Sequence, residues 1–460
     1  MTRSTAEELL GQRALQIEAS DSLPRKIEVL QRFLGERFFH PTGIMYSQWY
    51  WRDDELRPWR RSDFEGQSYP NTPEGFTPEG HNNNENSSWT SGLFLWSQCL
   101  RFEATREEEA LAYAARAFGS LDTIFRLTEA QGERGFLCKP YDCSASRQTS
   151  PDQYIAAMMG LWEYRRIADH AARERIDELL PAMADWWRAR DYTLHFFTRE
   201  WNIFDGGYHY PSMACLNYMA YQVSGSPIYR NECRQLLMLA GPWPTRFDAA
   251  REEMYRTGTS SWPERLHGCE YEPERRPFLL RNTENRAAMW LTLAPAGWLM
   301  RHDASLSDVL KQAIGRFYHA MQLGLRSDLL SLYSIQVDLE RDTWYPLRSI
   351  PSAASRAASL TNWLFEAYDS EVAWGDAASR IVDMALIGYQ HAREFCPGAL
   401  PLARALLQRL DSQRLHHFID PDGQQLLPEI DWMRYVLSSD VPAFTLLAYW
   451  RARANGIALQ

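Results

Sequence analysis

The clearest candidate for acid/base chemistry in this sequence is a carboxylate at the predicted start of a helix. Asp152 directly follows Pro151, and an apolar stretch begins immediately after it. Proline is favoured in the first turn of a helix, and the N–H groups exposed there stabilise negative charge. Hydrolysis of a glycosidic bond needs two carboxyl groups. Asp152 is therefore predicted to be a catalytic acid/base, with simple capping of the helix by Ser150 or Asp152 as the alternative.

Other groups near predicted helix starts are candidates to complete a site. A second carboxyl group is expected among Glu133, Glu85, Asp142, Asp205, Glu284, Asp431 and Asp440. His209, flanked by Tyr208 and Tyr210, is predicted to orient a substrate or to act as an acid/base. Candidates for binding a substrate carboxylate are Arg147, Lys139 and Arg281. For each of these residues a cap, an ion pair or plain solvation is the alternative.

The chain is rich in aromatic residues, with 18 Trp, 22 Tyr and 20 Phe among 460 residues. Many of the rings fall in segments that also carry amides and carboxylates. The CH face of a sugar stacks on an aromatic ring while its hydroxyl groups bond polar side chains. The sequence therefore predicts a sugar-binding surface formed by Trp89, His81, Arg147, Gln153, Tyr154, Trp201, Asp205, His209, Tyr210, Trp262, Glu284, Trp344, Asp431 and Trp432. For a single tryptophan the alternative is packing in a large core, as predicted for Trp96, Trp162, Trp290 and Trp363.

Two kinds of helical pattern alternate along the chain. Six segments are apolar on nearly every side, as buried helices are, at 87–102, 152–168, 211–223, 284–300, 352–368 and 440–453. Amphipathic segments precede them at 23–39, 105–131, 172–190, 228–240, 306–323 and 373–394. Pairing each amphipathic helix with the next apolar one gives six hairpins, which can close into a ring with the apolar helices inside. The predicted fold is all-α, an (α/α)6 barrel forming a single domain over residues 1–460, with an N-terminal extension at 1–22.

The connections between these helices are asymmetric. Links that follow an apolar helix are mostly short, whereas links that lead into one are long and aromatic, at 40–86, 132–151, 191–210, 241–283, 326–351 and 418–439. Long loops are uncommon in compact domains unless they carry function. The sequence therefore predicts long loops on one face, where the inner helices begin, and places the functional site there.

Charge and hydropathy exclude several other classes of protein. The net charge of −10 argues against a broad nucleic-acid-binding surface. No apolar run reaches the roughly 18 residues of a membrane span, and the first ten residues lack the apolar segment of a secretory signal. The seven cysteines are odd in number and scattered, which suits free thiols in a reducing compartment and completes no zinc pattern. We therefore expect a cytoplasmic protein without a metal, a cofactor, a nucleic-acid partner or a membrane partner.

Two segments resemble a known family. WTSG at 89–92, which opens an aromatic helix, and DQYIAAMMGL at 152–161 are similar to segments of the six-hairpin glycosidase superfamily. Within it they most resemble unsaturated glucuronyl hydrolases, which have WT-x-G at a helix start and an aspartate that opens a later helix with Met-Met or Met-Asn following. The matching motifs cover about residues 80–170. The family fold is an (α/α)6 barrel, so the resemblance implies the fold that the six hairpins predict.

The resemblance also implies roles for two carboxylates. In the family, an aspartate at the position of Asp152 protonates the vinyl ether of a 4,5-unsaturated uronic acid and helps to activate water. Hydration gives a hemiketal that collapses and releases the sugar. A second family aspartate precedes a Gly-Phe pair after the first hairpin. The matching segment here is GERGF at 132–136, so Glu133 takes that place with a side chain one methylene longer.

The leading hypothesis is a hydrolase that trims imported oligosaccharides, with uronides and unsaturated uronides as candidate substrates. A polysaccharide lyase on the same barrel is an alternative, and its base and carboxylate-binding groups would come from Tyr210, His209, Asn202 and Arg147. A sugar epimerase would need two facing bases, usually histidines, and the sequence shows no compelling pair. A sugar-binding protein without catalysis is a further alternative, and the oligomeric state stays open.

Overall fold

The computed structural model describes residues 15–52, 55–65, 72–196, 199–204, 209–240, 278–303, 334–338, 343–346, 373–415, 418–419 and 436–459, with scattered positions between 305 and 329. The helices of this part are α1 Leu23–Arg32, α2 Pro78–Asn84, α3 Ser87–Thr105, α4 Glu108–Glu129, α5 Pro151–Arg165, α6 His170–Arg188, α7 Tyr210–Ser224, α8 Pro227–Ala240, α9 Asn282–His302, α10 Gly375–His391, α11 Ala399–Gln408 and α12 Asp440–Ala454. Short π or 3-10 turns lie at Phe33–Arg37, Arg61–Phe64, Tyr141–Cys143, Arg393–Phe395 and Ser412–Leu415.

Six of these helices form a closed inner ring. Around the ring, α3 packs against α5, α5 against α7, α7 against α9, α9 against α10, α10 against α12, and α12 returns to α3. Two of the inner helices are buried on all sides. Every residue from Ser87 to Arg101 in α3 is buried, and so is every residue from Asp440 to Ala452 in α12. A helix that contacts neighbours on every side has no solvent-facing stripe, which is why its sequence lacks an amphipathic pattern.

Amphipathic helices cover the outside of this ring. α4 packs on α3, α6 and α8 on α7, α11 on α10, and α1 on α12. In α4 the buried positions Ala110, Ala114, Ala117, Leu121 and Ile124 recur every three or four residues, so one stripe faces the ring and the rest faces solvent. Inner and outer helices together confirm the predicted all-α (α/α)6 barrel.

Four small antiparallel sheets lie next to the starts of inner helices. Their strands are β1 Gln48–Arg52, β2 Glu55–Arg57, β3 Thr193–Phe196, β4 Arg199–Asn202, β5 Phe278–Arg281, β6 Ser334–Asp338, β7 Thr343–Pro346, β8 Ala373–Trp374, β9 Phe418–Ile419 and β10 Val436–Ser438. The sheet orders are β10-β1-β2, β3-β4, β5-β6-β7 and β8-β9. The hairpin β3-β4 precedes α7, and β5, β8 and β10 lead directly into α9, α10 and α12. The elaborated face predicted from loop lengths is therefore the face where inner helices begin.

One helix lies in the opposite layer from the one predicted. The sequence predicts an outer helix over 373–394, but α10 occupies the inner ring between α9 and α12, and its residues from Ile381 to Gly388 are all buried. The charged residues of α10 are paired inside the barrel, because Asp383 accepts from Arg451 at 2.6 and 3.1 Å and Arg380 pairs with Asp440. The inner helix predicted at 352–368 lies outside the described residues.

Part of the predicted N-terminal extension packs against the end of α11. The backbone of Ile17 exchanges hydrogen bonds with Ser412 at 2.6 and 2.9 Å. The buried ammonium of Lys26 donates to the carbonyls of Ala19, Gln408 and Leu410 at 3.0, 2.7 and 2.7 Å. One hydrophobic cluster reaches from Leu15 to Leu459. The single-domain organisation stays a prediction.

Two further observations concern membrane spans and thiols. No helix among the described residues has both the length and the apolar character that a membrane crossing needs. The six cysteines in the described part of the chain are free thiols, and Cys269 lies outside that part.

Candidate active site at the starts of the inner helices

Asp152 lies in the first turn of α5, as predicted, and its carboxylate is partly exposed. Pro151 occupies the start of the helix, and neither Ser150 nor Asp152 caps it with a side-chain hydrogen bond. The Asp152 carboxylate accepts a hydrogen bond from the Gln153 side chain, which donates to Oδ2 at 3.0 Å. Among the described residues no donor reaches Oδ1. The carboxylate therefore has one fixed oxygen and one available oxygen, an arrangement that helix capping does not require.

His209 immediately precedes α7, and it lies near enough to Asp152 for that carboxylate to influence its charge. Its side chain is 5% exposed, and it contacts the ring of Trp201 edge-on, with the centroids 6.0 Å apart. Burial lowers the pKa of His209 to about 4, although the nearby Asp152 carboxylate acts in the opposite direction. The imidazole is consequently neutral near pH 7. Within the described part of the chain, no group hydrogen-bonds to its buried Nδ1 atom.

Gln153 is fully buried and joins the starts of two inner helices. Its Oε1 atom accepts a hydrogen bond from the backbone N–H of Trp89 at 3.0 Å. Its Nε2 atom donates to Asp152 and also to Oδ1 of Asn86 at 3.0 Å. Asn86 stands immediately before α3 and was not predicted from sequence; its only signal was the position just before the apolar helix. The predicted contact of Gln153 with a substrate has no exposed atom to support it and stays a prediction.

Trp89 also lies in the packed interior, with 2% of its surface exposed. Its indole N–H donates to Asp440 at 2.7 Å, and its ring packs edge-on against Trp290 and Phe444 at 5.2 and 5.7 Å. Asp440 in turn pairs with Arg380, whose guanidinium lies 5.7 Å from the Trp89 ring centre. Trp89 therefore connects α3 to α12 and α10. Its predicted stacking on a sugar stays a prediction.

A second polar cluster, formed by Glu85, Lys139, His81 and Tyr141, lies beside the start of α3. Lys139 and Tyr141 donate to the two oxygens of Glu85, and His81 Nε2 lies 3.0 Å from Oε2. Burial on its own would raise the pKa of Glu85, but Lys139 and then His81 lower the pKa to well below its usual value. Lys139 and His81 thus favour the ionised form of Glu85, which directly precedes Asn86. Its side chain is 20% exposed, compared with 4% for Lys139.

Glu133 and Tyr154 both face the outer helix α6. Glu133 accepts hydrogen bonds from Arg190 at 2.7 Å and from the Trp186 indole at 3.1 Å. The buried Tyr154 hydroxyl accepts from Leu137 N at 2.8 Å and donates to Gly135 O at 3.2 Å. In the part of the chain that the structure describes, no hydrogen bond joins Glu133 to Asp152. The catalytic role that the resemblance implies for Glu133 remains a prediction.

The remaining predicted residues differ in how much of them the structure describes. Three have described side chains: Tyr210 is buried and stacked on Phe204 at 4.0 Å, Trp201 is partly exposed, and Arg147 is exposed. Only the backbone of Glu284 and Trp344 is described. Asp205, Trp262, Asp431 and Trp432 lie outside the described residues. No set of three His, Cys, Asp or Glu side chains converges as metal ligands in the part of the chain that the structure covers.

Comparison with known proteins gives matches in structure alone. No family model and no curated protein matches the sequence. A sugar epimerase from a ruminal bacterium has a TM-score of 0.52 at 11% identity, over 94% of this chain and 99% of that chain. An unsaturated glucuronyl hydrolase specific for heparin has a TM-score of 0.47 at 10% identity, over 95% and 98%. A cellobiose 2-epimerase from Bacillus thermoamylovorans has a TM-score of 0.49 at 9% identity, over 93% and 99%.

The fold defines the class of protein. The chain is an (α/α)6 barrel, which is the fold that WTSG and DQYIAAMMGL implied and the fold that it shares with the sugar epimerase from a ruminal bacterium. At about one residue in ten identical, the likeness concerns the fold. Neither hydrolase nor epimerase chemistry follows from it, and that choice depends on the side chains of this chain.

Proposed function

We propose that this protein is a carbohydrate-active hydrolase that cleaves a glycosidic bond in an oligosaccharide, with Asp152 as its general acid/base. The observation that carries the proposal is the partly exposed Asp152 carboxylate in the first turn of α5, which Gln153 holds by one oxygen on the face where the inner helices begin. A carboxyl group with one oxygen fixed and one available can transfer a proton to a leaving group or take one from water. Trp201, which is partly exposed beside His209, supplies a stacking surface for a sugar ring.

His209 complements this chemistry without carrying charge. A neutral imidazole offers one donor and one acceptor nitrogen, so it can orient a sugar hydroxyl or the attacking water toward Asp152. The second carboxyl group that glycosidases use comes, in this proposal, from Glu133 or from Glu85, whose pKa is lowered by Lys139 and His81. The motifs around Asp152 support a uronide, saturated or 4,5-unsaturated, as the substrate class.

The test is a screen of oligosaccharides with the purified protein, followed by one pair of variants. Release of reducing sugar detects hydrolysis, and loss of ultraviolet absorbance detects the consumption of an unsaturated uronide. The Asp152→Asn variant should lower turnover by about 100-fold or more because acid/base groups contribute on that scale. Asp169→Asn is the matched control, since Asp169 caps the outer helix α6 by accepting from Ala172 N at 2.8 Å and asparagine caps equally well. Full turnover in Asp152→Asn would remove the catalytic assignment.

A sugar epimerase is the second candidate, because the buried Nδ1 atom of His209 has no hydrogen-bond partner among the described residues. Epimerisation beside a carbonyl requires a base that removes a carbon-bound proton, and a neutral histidine is such a base. An epimerase would convert a reducing disaccharide into its isomer without releasing a monosaccharide. In deuterated water, the isomer would carry deuterium at the inverted carbon. A lyase, by contrast, would increase ultraviolet absorbance on a uronide polymer.

A further inference from the structure

We propose that Gln153 is a positioning residue that fixes the carboxylate of Asp152 without touching the substrate. This inference rests on the proposed function, because it concerns the acid/base group of that reaction. Gln153 is fully buried, so no face of its amide is open to a ligand. Its importance comes from the three hydrogen bonds that it makes, each to a different residue at the starts of α3 and α5.

The orientation of the Gln153 amide is determined by its partners. The oxygen faces a backbone donor, the N–H of Trp89, and the amino group faces two acceptors, Oδ2 of Asp152 and Oδ1 of Asn86. Turning the amide over would place its oxygen against two oxygens and its amino group against an N–H. A buried polar group left unsatisfied costs about 1–3 kcal/mol. The amide is therefore locked, and each of its hydrogens has one assigned acceptor.

A locked donor selects one arrangement of the Asp152 side chain. Because Oδ2 accepts from Gln153, rotation of the carboxylate breaks that bond, and Oδ1 stays directed away from it. The titratable groups near the carboxylate include His209, which immediately precedes α7. Gln153 thus decides which oxygen is available for proton transfer. Misplacement of a reacting group by about 1 Å can lower a rate by about 100-fold.

The position of Gln153 is in turn tied to the inner ring. Its partner Trp89 donates through the indole to Asp440 of α12, and Asp440 pairs with Arg380 of α10. A continuous path of hydrogen bonds therefore joins Asp152 to four inner helices, α5, α3, α12 and α10. The carboxylate is attached to the framework of the barrel rather than to a surface loop, which is how a precisely placed acid/base group is kept in position.

The experiment compares Gln153→Glu and Gln153→Met with Gln98→Met in the full-length chain. Gln98 is an equally buried glutamine of α3, and it bonds Gln31 at 2.8 Å instead of a site residue. Both methionine variants should lose stability, but only the Gln153 variants should lower kcat, by about 10- to 100-fold, with KM changed less than about threefold. Gln153→Glu keeps an acceptor for Trp89 N and places a negative charge beside Asp152. The acid limb of its pH–rate profile should consequently move to higher pH.

Three results would overturn the inference. Wild-type kcat and pH profile in Gln153→Glu would show that the contact does not position the acid/base group. Equal losses of kcat in Gln153→Met and Gln98→Met would reduce Gln153 to a structural residue. A change confined to KM would indicate direct substrate binding. The proposed function is tested separately by Asp152→Asn. If Asp152 is catalytic, this variant loses turnover whatever the Gln153 variants show. If the proposed function is wrong, Asp152→Asn keeps its turnover.

Discussion

Gly160 of α5 packs directly on the backbone of Gly92 in α3, so that a methyl group at Gly160 would lie 2.5 Å from the Gly92 carbonyl oxygen. A methyl group added at Gly92 would likewise lie 2.5 Å from the backbone nitrogen of Ala157 in α5. Both positions therefore need a residue without a side chain for two inner helices to approach. Gly92, the glycine of WTSG, is explained by packing in this chain, because the absence of a side chain there allows α3 to contact the helix that carries Asp152.

The Gly160→Ala substitution should destabilise the protein. Backbone atoms cannot move aside as a flexible side chain can, so overpacking here should lower the free energy of unfolding by about 1–3 kcal/mol. The measurement is denaturant unfolding of the wild-type protein and of the Gly160→Ala variant. Gly119→Ala in α4 is the control: a methyl group there meets nothing within 4 Å, and alanine improves helix propensity. An unchanged or raised stability in Gly160→Ala would show that the two helices separate without cost.

His209 should make stability depend on pH in a defined window. Its pKa is about 4 in the folded protein and 6.5 in the unfolded chain, so the unfolded chain binds more protons between these values. Stability should therefore fall as pH is lowered from about 6.5 to about 4, by an amount on the order of 3 kcal/mol. His209→Gln should flatten this part of the curve. Denaturant unfolding at several pH values measures this dependence of stability on pH. His170→Gln is the control, because the His170 side chain is 85% exposed.

Removing the charge of Glu85 should destabilise the face where the inner helices begin. Glu85→Gln deprives the buried Lys139 ammonium of its ion pair, and breaking a buried pair on one side costs about 3–5 kcal/mol. The double variant Glu85→Gln/Lys139→Met should recover part of the loss, since it removes the remaining charge as well. Thermal unfolding of the single and double variants gives the comparison. If the double variant is no more stable than the single one, the pair is not the source of the effect.

Trp89→Phe should separate a core role from a substrate-binding role. The variant keeps most of the packing against Trp290 and Phe444 but loses the hydrogen bond to Asp440, which should cost about 1–3 kcal/mol of stability. If Trp89 acts only through the core, KM should change little. Trp201→Phe is the comparison, because Trp201 is partly exposed beside His209. A large rise in KM for Trp89→Phe at unchanged stability would support the predicted stacking on a sugar.

Most of the barrel could be predicted because the burial of a helix determines which of its sides carry apolar residues. Five helices of the inner ring, α3, α5, α7, α9 and α12, lack an amphipathic stripe and lie where that pattern predicted. The amphipathic, charged pattern of 373–394 predicts an outer helix, but α10 lies in the inner ring and carries Arg380 and Asp383. Both are paired across the ring, with Asp440 and Arg451. Sequence shows that a residue is charged, but it does not show whether a distant partner neutralises it.

The candidate site divides in the same way. The sequence by itself determined that Asp152 opens a helix and that long, aromatic segments lead into the inner helices, since both are local patterns. Only the tertiary structure decided that His209 is buried beside Trp201 and near Asp152, that Gln153 is buried between two helix starts, and that Trp89 belongs to the core. The reason is physical: helical periodicity and capping act over a few neighbouring residues, whereas these contacts exist only once the ring of helices has closed.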